Sequence, residues 1–181
     1  MPTINRTTVD DVAAVTPCHS HEWVEKKFGR RKRVTLLEIL GNEDVSAEDR
    51  IWVACKLGVI PDRELRLFAC RTAARSLRAV EKAGGTVPRS WWNAIRVARR
   101  FANGKASKRE LRAASRVVNW VANRAAYCAA NWATCRAAYC AAYYAADWAA
   151  NWAAYCADDY ANERCKQLAD LRRVVKKLGG K

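Results

Sequence analysis

Histidine and the common catalytic motifs are nearly missing from this sequence, which narrows the classes of function open to it. The 181 residues contain two histidines, and both lie close to the start of the chain. No GxSxG, HExxH, GxxxxGK[ST] or GxGxxG motif occurs. Since hydrolases, metalloproteases and nucleotide-dependent enzymes place such groups at fixed spacings, we expect no enzymatic activity, no catalytic residue and no cofactor.

Long apolar runs are lacking as well. Uncharged stretches such as Ala137–Ala146 reach about half the length that a transmembrane helix needs. The first fifteen residues have no basic segment followed by an apolar core, so we expect no signal peptide. These two observations predict a cytosolic protein with no membrane partner.

Cysteine is abundant but lacks the spacing of a zinc site. None of the eight cysteines forms a CxxC pair, and the Cys-His-Ser-His stretch at 18–21 has no matching set of ligands elsewhere. A chain of this length can bury a sufficient core without disulfides. We therefore predict no metal site, and free cysteines that are mostly buried as small hydrophobic side chains. They are Cys18, Cys55, Cys70, Cys128, Cys135, Cys140, Cys156 and Cys165.

Positive charge dominates the composition. Lysine and arginine number 33 against 18 acidic residues, which gives a formal net charge of +15. Such an excess predicts an anionic partner: a nucleic acid, a nucleotide or an acidic protein surface. The alternative is a solvated basic surface that has no specific partner.

Residues 1–33 are predicted to form a basic, partly flexible N-terminal arm. Its last eight residues, Lys26–Arg33, read KKFGRRKR and include six basic side chains. Runs of this kind bind nucleic acid or phosphate, or act only as a solubilising segment.

Residues 34–104 show the pattern of short amphipathic helices, and no segment alternates as a β-strand does. Capping residues open these predicted helices, and glycines close them. The predicted limits are Ser46 to Gly58, Pro61 to Gly84, Pro88 to Gly104, and a capping box of Ser107 with Glu110 that opens the next helix.

An alanine-rich repeat with a period of four residues covers 121–164. Each of its eleven tetrads has alanine in the first or second place, and most have an aromatic residue in the third or fourth. Because an α-helix has 3.6 residues per turn, this aromatic stripe drifts by about 40° per tetrad and circles the helix. A helix that is apolar all round is buried. We therefore predict an all-α fold, a compact helical bundle with an alanine-rich core studded with Trp and Tyr.

Residues 105–178 are predicted to be long alanine-rich helices within one all-helical domain, 34–181. A single helix from Ser107 to Lys177 would measure about 105 Å, against about 40 Å for a compact domain of this size. Breaks are expected near Asn131, Asp147–Asn151 and Asp158–Asp159. The alternative is one long projecting helix that forms the interface of a homo-oligomer.

Cationic stripes mark three of the predicted helices. Four cations on the helix after Pro61 follow the spacing i, i+4, i+7 and i+11, which places them on one face. If the three helices are adjacent, their stripes form one positive surface; otherwise they are ordinary solvated faces. The candidate partner- or ligand-binding residues are Arg71, Arg75, Arg78, Lys82, Trp92, Arg96, Arg99, Arg109, Arg112, Arg116 and Arg136, the last of them inside the repeat.

Two segments, RLFACRTAARSL at 66–77 and AIRVARRFANGKASKRELRAA at 94–114, precede the alanine-rich repeat. This arrangement resembles the immunity proteins of bacterial polymorphic-toxin systems, which phages also carry. The resemblance covers about residues 45–175. The chain departs from the family pattern in having GK where GE is expected, and in its basic arm. The matching positions are Arg66, Phe68, Ala69, Cys70, Ala94, Ile95, Ala98, Arg99, Ala102 and Gly104.

The resemblance implies a neutralising binder in a bacterial host cytosol, and it carries over no catalytic residue. Our first hypothesis is an immunity or anti-defence protein that blocks a toxin or immune effector through its basic face. The second is sequestration of an anionic nucleotide in a pocket of Arg, Trp and Tyr. The third is binding of DNA or RNA by the arm and the arginine stripes.

Overall fold

A computed structural model describes residues 6–16, 19–28, 33–116 and 160–179. Most of these residues are helical, which confirms the predicted all-α fold. They fall into two compact units, one drawn from Met1–Ile60 and Cys165–Lys181, the other from Pro61–Arg164. The predicted alanine-rich core, its break points and Arg136 lie outside the described residues.

The first unit contains four short helices, a small strand pair and most of a longer helix. The helices are α1 (Val9–Val15), α2 (His21–Phe28), α3 (Leu36–Gly41), α4 (Ala47–Lys56) and α8 (Tyr160–Gly179), of which α8 enters this unit at Cys165. Strands β1 (Arg6–Thr7) and β2 (Val34–Thr35) pair antiparallel, with Thr7 opposite Val34. The sequence pattern did not predict these two-residue strands, because they are too short to alternate.

Residues of the predicted arm take part in the core of this unit. Val12 on α1 and Val24 on α2 are fully buried, and the Trp52 indole on α4 donates a hydrogen bond of 2.6 Å to the Val15 carbonyl. The predicted boundary at residue 33 therefore does not coincide with the division of the structure. Residues 29–32 of the basic run lie outside the described ranges.

Two arginines connect α4 and α8 to the end of α3 within this unit. Arg50 on α4 and Arg172 on α8 both donate to the Leu40 carbonyl, at 3.2 Å and 2.9 Å. That carbonyl lies in the last turn of α3, where backbone acceptors have no helical partner and where positive charge is favourable. The two guanidinium groups thus cap α3.

In the described residues of the second unit, three helices follow one another: α5 (Asp62–Lys82), α6 (Arg89–Ala102) and α7 (Lys108–Arg116). Helices α5 and α6 run antiparallel, since Arg63 near the start of α5 bonds Asn103 just after α6, and Trp92 near the start of α6 bonds Glu81 near the end of α5. Small side chains dominate the buried contact. The core cluster is Ala69, Cys70, Ala73, Ala74, Leu77, Ala94, Ile95, Val97, Ala98, Leu111 and Ala114.

Helix limits in this unit follow the sequence signals closely. Ser107 and Glu110 form the predicted capping box: the Ser107 amide donates to the Glu110 carboxylate at 2.7 Å, and the Glu110 amide to the Ser107 hydroxyl at 3.2 Å. Gly84 and Gly104 end α5 and α6 with φ of +82° and +71°, a conformation that costs glycine little. Pro61 and Pro88, which are predicted as first helical residues, are N-caps, so each helix begins one position later than predicted, at Asp62 and Arg89.

Two of the described cysteines behave as predicted. Cys55 and Cys70 are buried free thiols, and burial raises the pKa of the Cys70 thiol to about 12. Cys165 is exposed, because it lies on the outer side of α8. Within the described ranges, no helix combines the length and apolarity that crossing a bilayer requires.

Replacing Leu77 by alanine is expected to lower the free energy of unfolding by about 2 to 5 kcal/mol, because it empties a fully buried site between α5 and α6. Urea denaturation followed by circular dichroism measures the change. Lys108→Ala, at an exposed position, is the control and should stay within about 0.5 kcal/mol of the parent. Equal effects of the two changes would contradict this assignment of the core.

The ion pair between His21 and Asp10 is expected to make stability depend on pH. Its 2.8 Å hydrogen bond raises the pKa of the His21 imidazole, with a further contribution from the charge of Glu25. A raised pKa stabilises the fold fully below the unfolded pKa of about 6.5, and this gain is lost as the pH rises through the folded pKa. Asp10→Asn should therefore lower Tm at pH 5 and change it little at pH 8.5. The control, Asp44→Asn, should show no such pH-dependent difference.

Candidate ligand-binding groove

A groove of about 600 Å³ lies between α5 and α6, within the second unit. We call it the arginine groove. Its size falls in the range of small-molecule sites, about 300 to 1,000 Å³. The residues that line it are Ala74, Arg78, Arg89, Trp92, Asn93, Ile95, Arg96 and Arg99.

Helical periodicity places most of the lining on one face of α6. Arg89, Trp92, Asn93, Arg96 and Arg99 follow the spacing i, i+3, i+4, i+7 and i+10, so they form one row about 15 Å long. The opposite face of α6 supplies alanine and valine to the core. Arg78 borders the groove from α5. The small residues between the two helices thus set the floor, and long cationic side chains form the rim.

The indole of Trp92 is held in a defined position. Its Nε1 donates a 2.9 Å hydrogen bond to Glu81, and the Cζ of Arg78 lies over its ring, 6.0 Å from the centroid. The ring is half-buried and also packs against the core cluster. Trp92 therefore enters the groove as a rigid aromatic wall rather than as a mobile side chain.

The guanidinium groups of the groove differ from those of four other arginines of the same unit in their partners. Outside the groove, four arginines form ion pairs: Arg63 with Glu64, Arg66 with Asp62, Arg75 with Glu163, and Arg100 with Glu110. Within the part of the chain that the structure describes, Arg78, Arg89, Arg96 and Arg99 form no ion pair with a carboxylate. The contact found for Arg96 is a neutral one, a 2.7 Å hydrogen bond to the Asn93 side chain.

Unpaired cations on neighbouring turns repel one another. Like charges at i, i+3 or i, i+4 on a helix destabilise it by about 0.2 to 0.5 kcal/mol per pair. Low-dielectric walls around a concave site strengthen its field and attract anions. The groove is therefore arranged to accept negative charge from outside the unit.

The predicted stripe on α5 divides between different roles. Arg78 lines the groove, whereas Arg75 donates through Nε and Nη2 to the Glu163 carboxylate at 3.0 to 3.2 Å. Glu163 is 5% exposed, so this pair serves the packing of the unit. Arg71 is half-buried and Lys82 is exposed, and neither lines the groove.

Two of the predicted residues on α7, Arg109 and Arg112, do not line the groove. Arg109 and Arg112 are exposed, and Arg116 is the last residue of that helix. Four predicted residues line the arginine groove: Arg78, Trp92, Arg96 and Arg99. The sequence reasoning missed Arg89 and Asn93, although each lies three residues before a predicted α6 residue, Trp92 or Arg96, and so on the same face of the helix.

Other clusters in the described residues are small or internally paired. His19 stacks on Trp23 at 3.8 Å and lies 3.3 Å from Asp49. No group of three or more His, Cys, Asp or Glu side chains in the described ranges is placed to hold a metal ion. The arginine groove is accordingly the candidate site.

Comparison with known proteins assigns the chain to no family, since no family model, curated protein or solved structure matches it. The resemblance to bacterial immunity proteins thus stays a prediction.

Replacing Arg75 should act on stability and not on binding. Arg75→Ala leaves the Glu163 carboxylate buried without its bidentate partner, which is expected to cost about 3 kcal/mol of unfolding free energy. Arg78→Ala, one turn further along α5 at an exposed position, should change the unfolding free energy by less than about 0.5 kcal/mol. Chemical denaturation of both variants measures the contrast, and similar losses would refute the division of roles.

Proposed function

We propose that this protein is a non-enzymatic binding protein of the immunity or anti-defence type. It neutralises a toxin or immune effector system by holding an anionic partner against its basic face, centred on the arginine groove. The observation that carries the proposal is the set of four groove guanidinium groups that have no carboxylate partner among the described residues, whereas Arg63, Arg66, Arg75 and Arg100 of the same unit are paired.

The chemistry of the lining supports binding. A guanidinium stays protonated at neutral pH and donates up to five hydrogen bonds in a planar fork, which suits carboxylates and phosphates. An indole adds contact area at low entropic cost, and Trp and Arg are the residues that most often dominate binding energy. Arg78 and Trp92 are already in contact range of each other. The groove thus combines charge with a preorganised aromatic surface.

The net charge of the chain supports the same proposal. A charge of +15 attracts anionic partners over a distance of about one Debye length, roughly 8 Å at physiological salt. Such attraction raises the association rate and helps to exclude cationic competitors. The cations in excess of the carboxylates create this general field, and the groove gives it a specific place.

Copurification tests the proposal. Tagged parent protein, the double variant Arg78→Gln/Arg96→Gln and the control Arg109→Gln are expressed in a bacterial host and recovered at moderate salt. Captured proteins are identified by mass spectrometry, and small molecules are identified after heat denaturation. We expect one anionic partner, an acidic protein or a nucleotide, to be recovered with the parent and the control.

The double variant should lose at least about nine-tenths of that partner, because each charge-assisted hydrogen bond contributes about 1.5 to 3 kcal/mol. Arg109 is exposed and outside the groove, so the control removes one charge without touching the lining. Recovery of the same partner in the same amount with all three proteins would refute the groove as the binding site.

A further inference from the structure

We infer that the arginine groove binds a nucleoside phosphate, with its base stacked between the Arg78 guanidinium and the Trp92 indole and its phosphates on the α6 arginines. This inference rests on the proposed function and specifies the chemical class of the partner. Three properties of the groove lead to it: the density of its charge, the spacing between Arg78 and Trp92, and its concave form.

Charge density favours phosphate over carboxylate. Four guanidinium groups that have no carboxylate partner among the described residues surround about 600 Å³. A protein partner brings one charge per acidic side chain, each attached to its own stretch of backbone. A nucleoside di- or triphosphate instead carries several charges on adjacent groups, each with oxygens that accept from a guanidinium fork. A ligand of that class can meet several of these cations within the volume of the groove.

The spacing between Arg78 and Trp92 suits an inserted ring. The guanidinium lies over the indole with its Cζ 6.0 Å from the ring centroid. Because carbon atoms in contact are about 3.5 Å apart, a flat ring between two flat groups needs a gap of about 7 Å. A shift of about 1 Å in the flexible, exposed Arg78 side chain opens that gap. The indole keeps its position during this shift, because its Nε1 is hydrogen-bonded to Glu81.

The remaining lining residues are placed to receive the phosphates. Arg96 lies about one turn beyond Trp92 on the same face of α6, and Arg99 lies about one turn further, which spans roughly 10 Å. Asn93, between the indole and Arg96, adds an amide that can donate to a phosphate oxygen or pair with a base edge. The groove therefore provides an aromatic end and a cationic end.

The concave shape of the groove favours a nucleoside phosphate over an acidic protein surface. A stable protein interface covers about 800 Å² on each partner and is broadly flat, whereas small-molecule sites are concave and enclose most of the ligand. The arginine groove lies between two helices, with its floor formed by Ala74 and Ile95. A free nucleotide and a single-stranded nucleic acid share the chemistry that this groove would recognise.

Isothermal titration of the purified full chain tests the inference with four probes: ATP, inorganic triphosphate, an octaglutamate peptide and a dT8 oligonucleotide. We expect ATP or dT8 to bind at least about tenfold tighter than triphosphate, since stacking one base on an aromatic ring contributes that much. ATP binding at 1:1 indicates a free nucleotide. Tighter binding of dT8, weakening steeply with salt, indicates a strand.

Matched variants locate the stacking and exclude unfolding as the cause. Trp92→Leu should abolish the preference for ATP or dT8 over triphosphate, while Trp91→Leu, at the half-buried neighbour outside the lining, should keep it. Arg96→Gln should weaken triphosphate and nucleotide alike by about tenfold. Arg78→Gln, at an exposed site, should reduce the preference without affecting the fold. Circular dichroism confirms equal helix content.

Several outcomes overturn the inference. If triphosphate binds as tightly as ATP and dT8, or octaglutamate binds more tightly than either, the groove binds anions without recognising a nucleoside. The proposed function would then stand. Failure of all four probes with the folded parent overturns the inference. If the copurified partner is also unaffected by Arg78→Gln/Arg96→Gln, the proposed function falls as well.

Discussion

Close contact between α5 and α6 is the constraint on which the candidate site depends. Alanines on both helices fill the interface, among them Ala73 and Ala94, and small side chains let helix axes approach. The long side chains next to this seam cannot enter it, so Arg78, Arg96 and Arg99 project along its edge and enclose a groove. A bulkier residue at the seam would separate the helices and change the distances between these cations. The binding site is thus a consequence of the core packing beneath it.

The positions of the carboxylates determine which arginines of this unit are neutralised. Arg66 and Arg100 are paired with acids within one turn or across a short loop, and Arg75 meets Glu163 from a distant part of the chain. Such pairs lower the repulsion that a chain of net charge +15 carries. Among the described residues, no carboxylate pairs with the arginines of the groove, although Glu81 accepts a hydrogen bond from the Trp92 indole beside Arg78. Its carboxylate serves to orient Trp92 instead of neutralising a guanidinium.

Local signals made much of the fold predictable. The capping box at Ser107, the serine cap at Ser46 and the glycines after α4, α5 and α6 depend on a few adjacent residues, and the structure has them where the pattern indicates. Contacts between distant residues were not predictable in this way. The partner of Arg75 lies 88 residues further along the chain. Helices α1 and α2 were not predicted, because the basic run within 1–33 indicated a partly flexible arm. The burial of Val12 and Val24 depends on contacts that the local sequence does not show.

The same distinction explains why the candidate site was predicted only in part. Periodicity on one helix can show that cations share a face, as it does for Arg71, Arg75, Arg78 and Lys82 on α5. Trp92, Arg96 and Arg99 on α6 were predicted because arginines follow a tryptophan pair in the sequence. Periodicity cannot show which of the cations an acid elsewhere in the chain neutralises, and so it grouped Arg75 with Arg78. A carboxylate that pairs with a cation inside the fold neutralises most of its attraction for a ligand. A cation that borders a concave surface and has no carboxylate partner keeps that attraction. Specific binding is therefore better inferred from which arginines lack internal partners than from how many arginines there are.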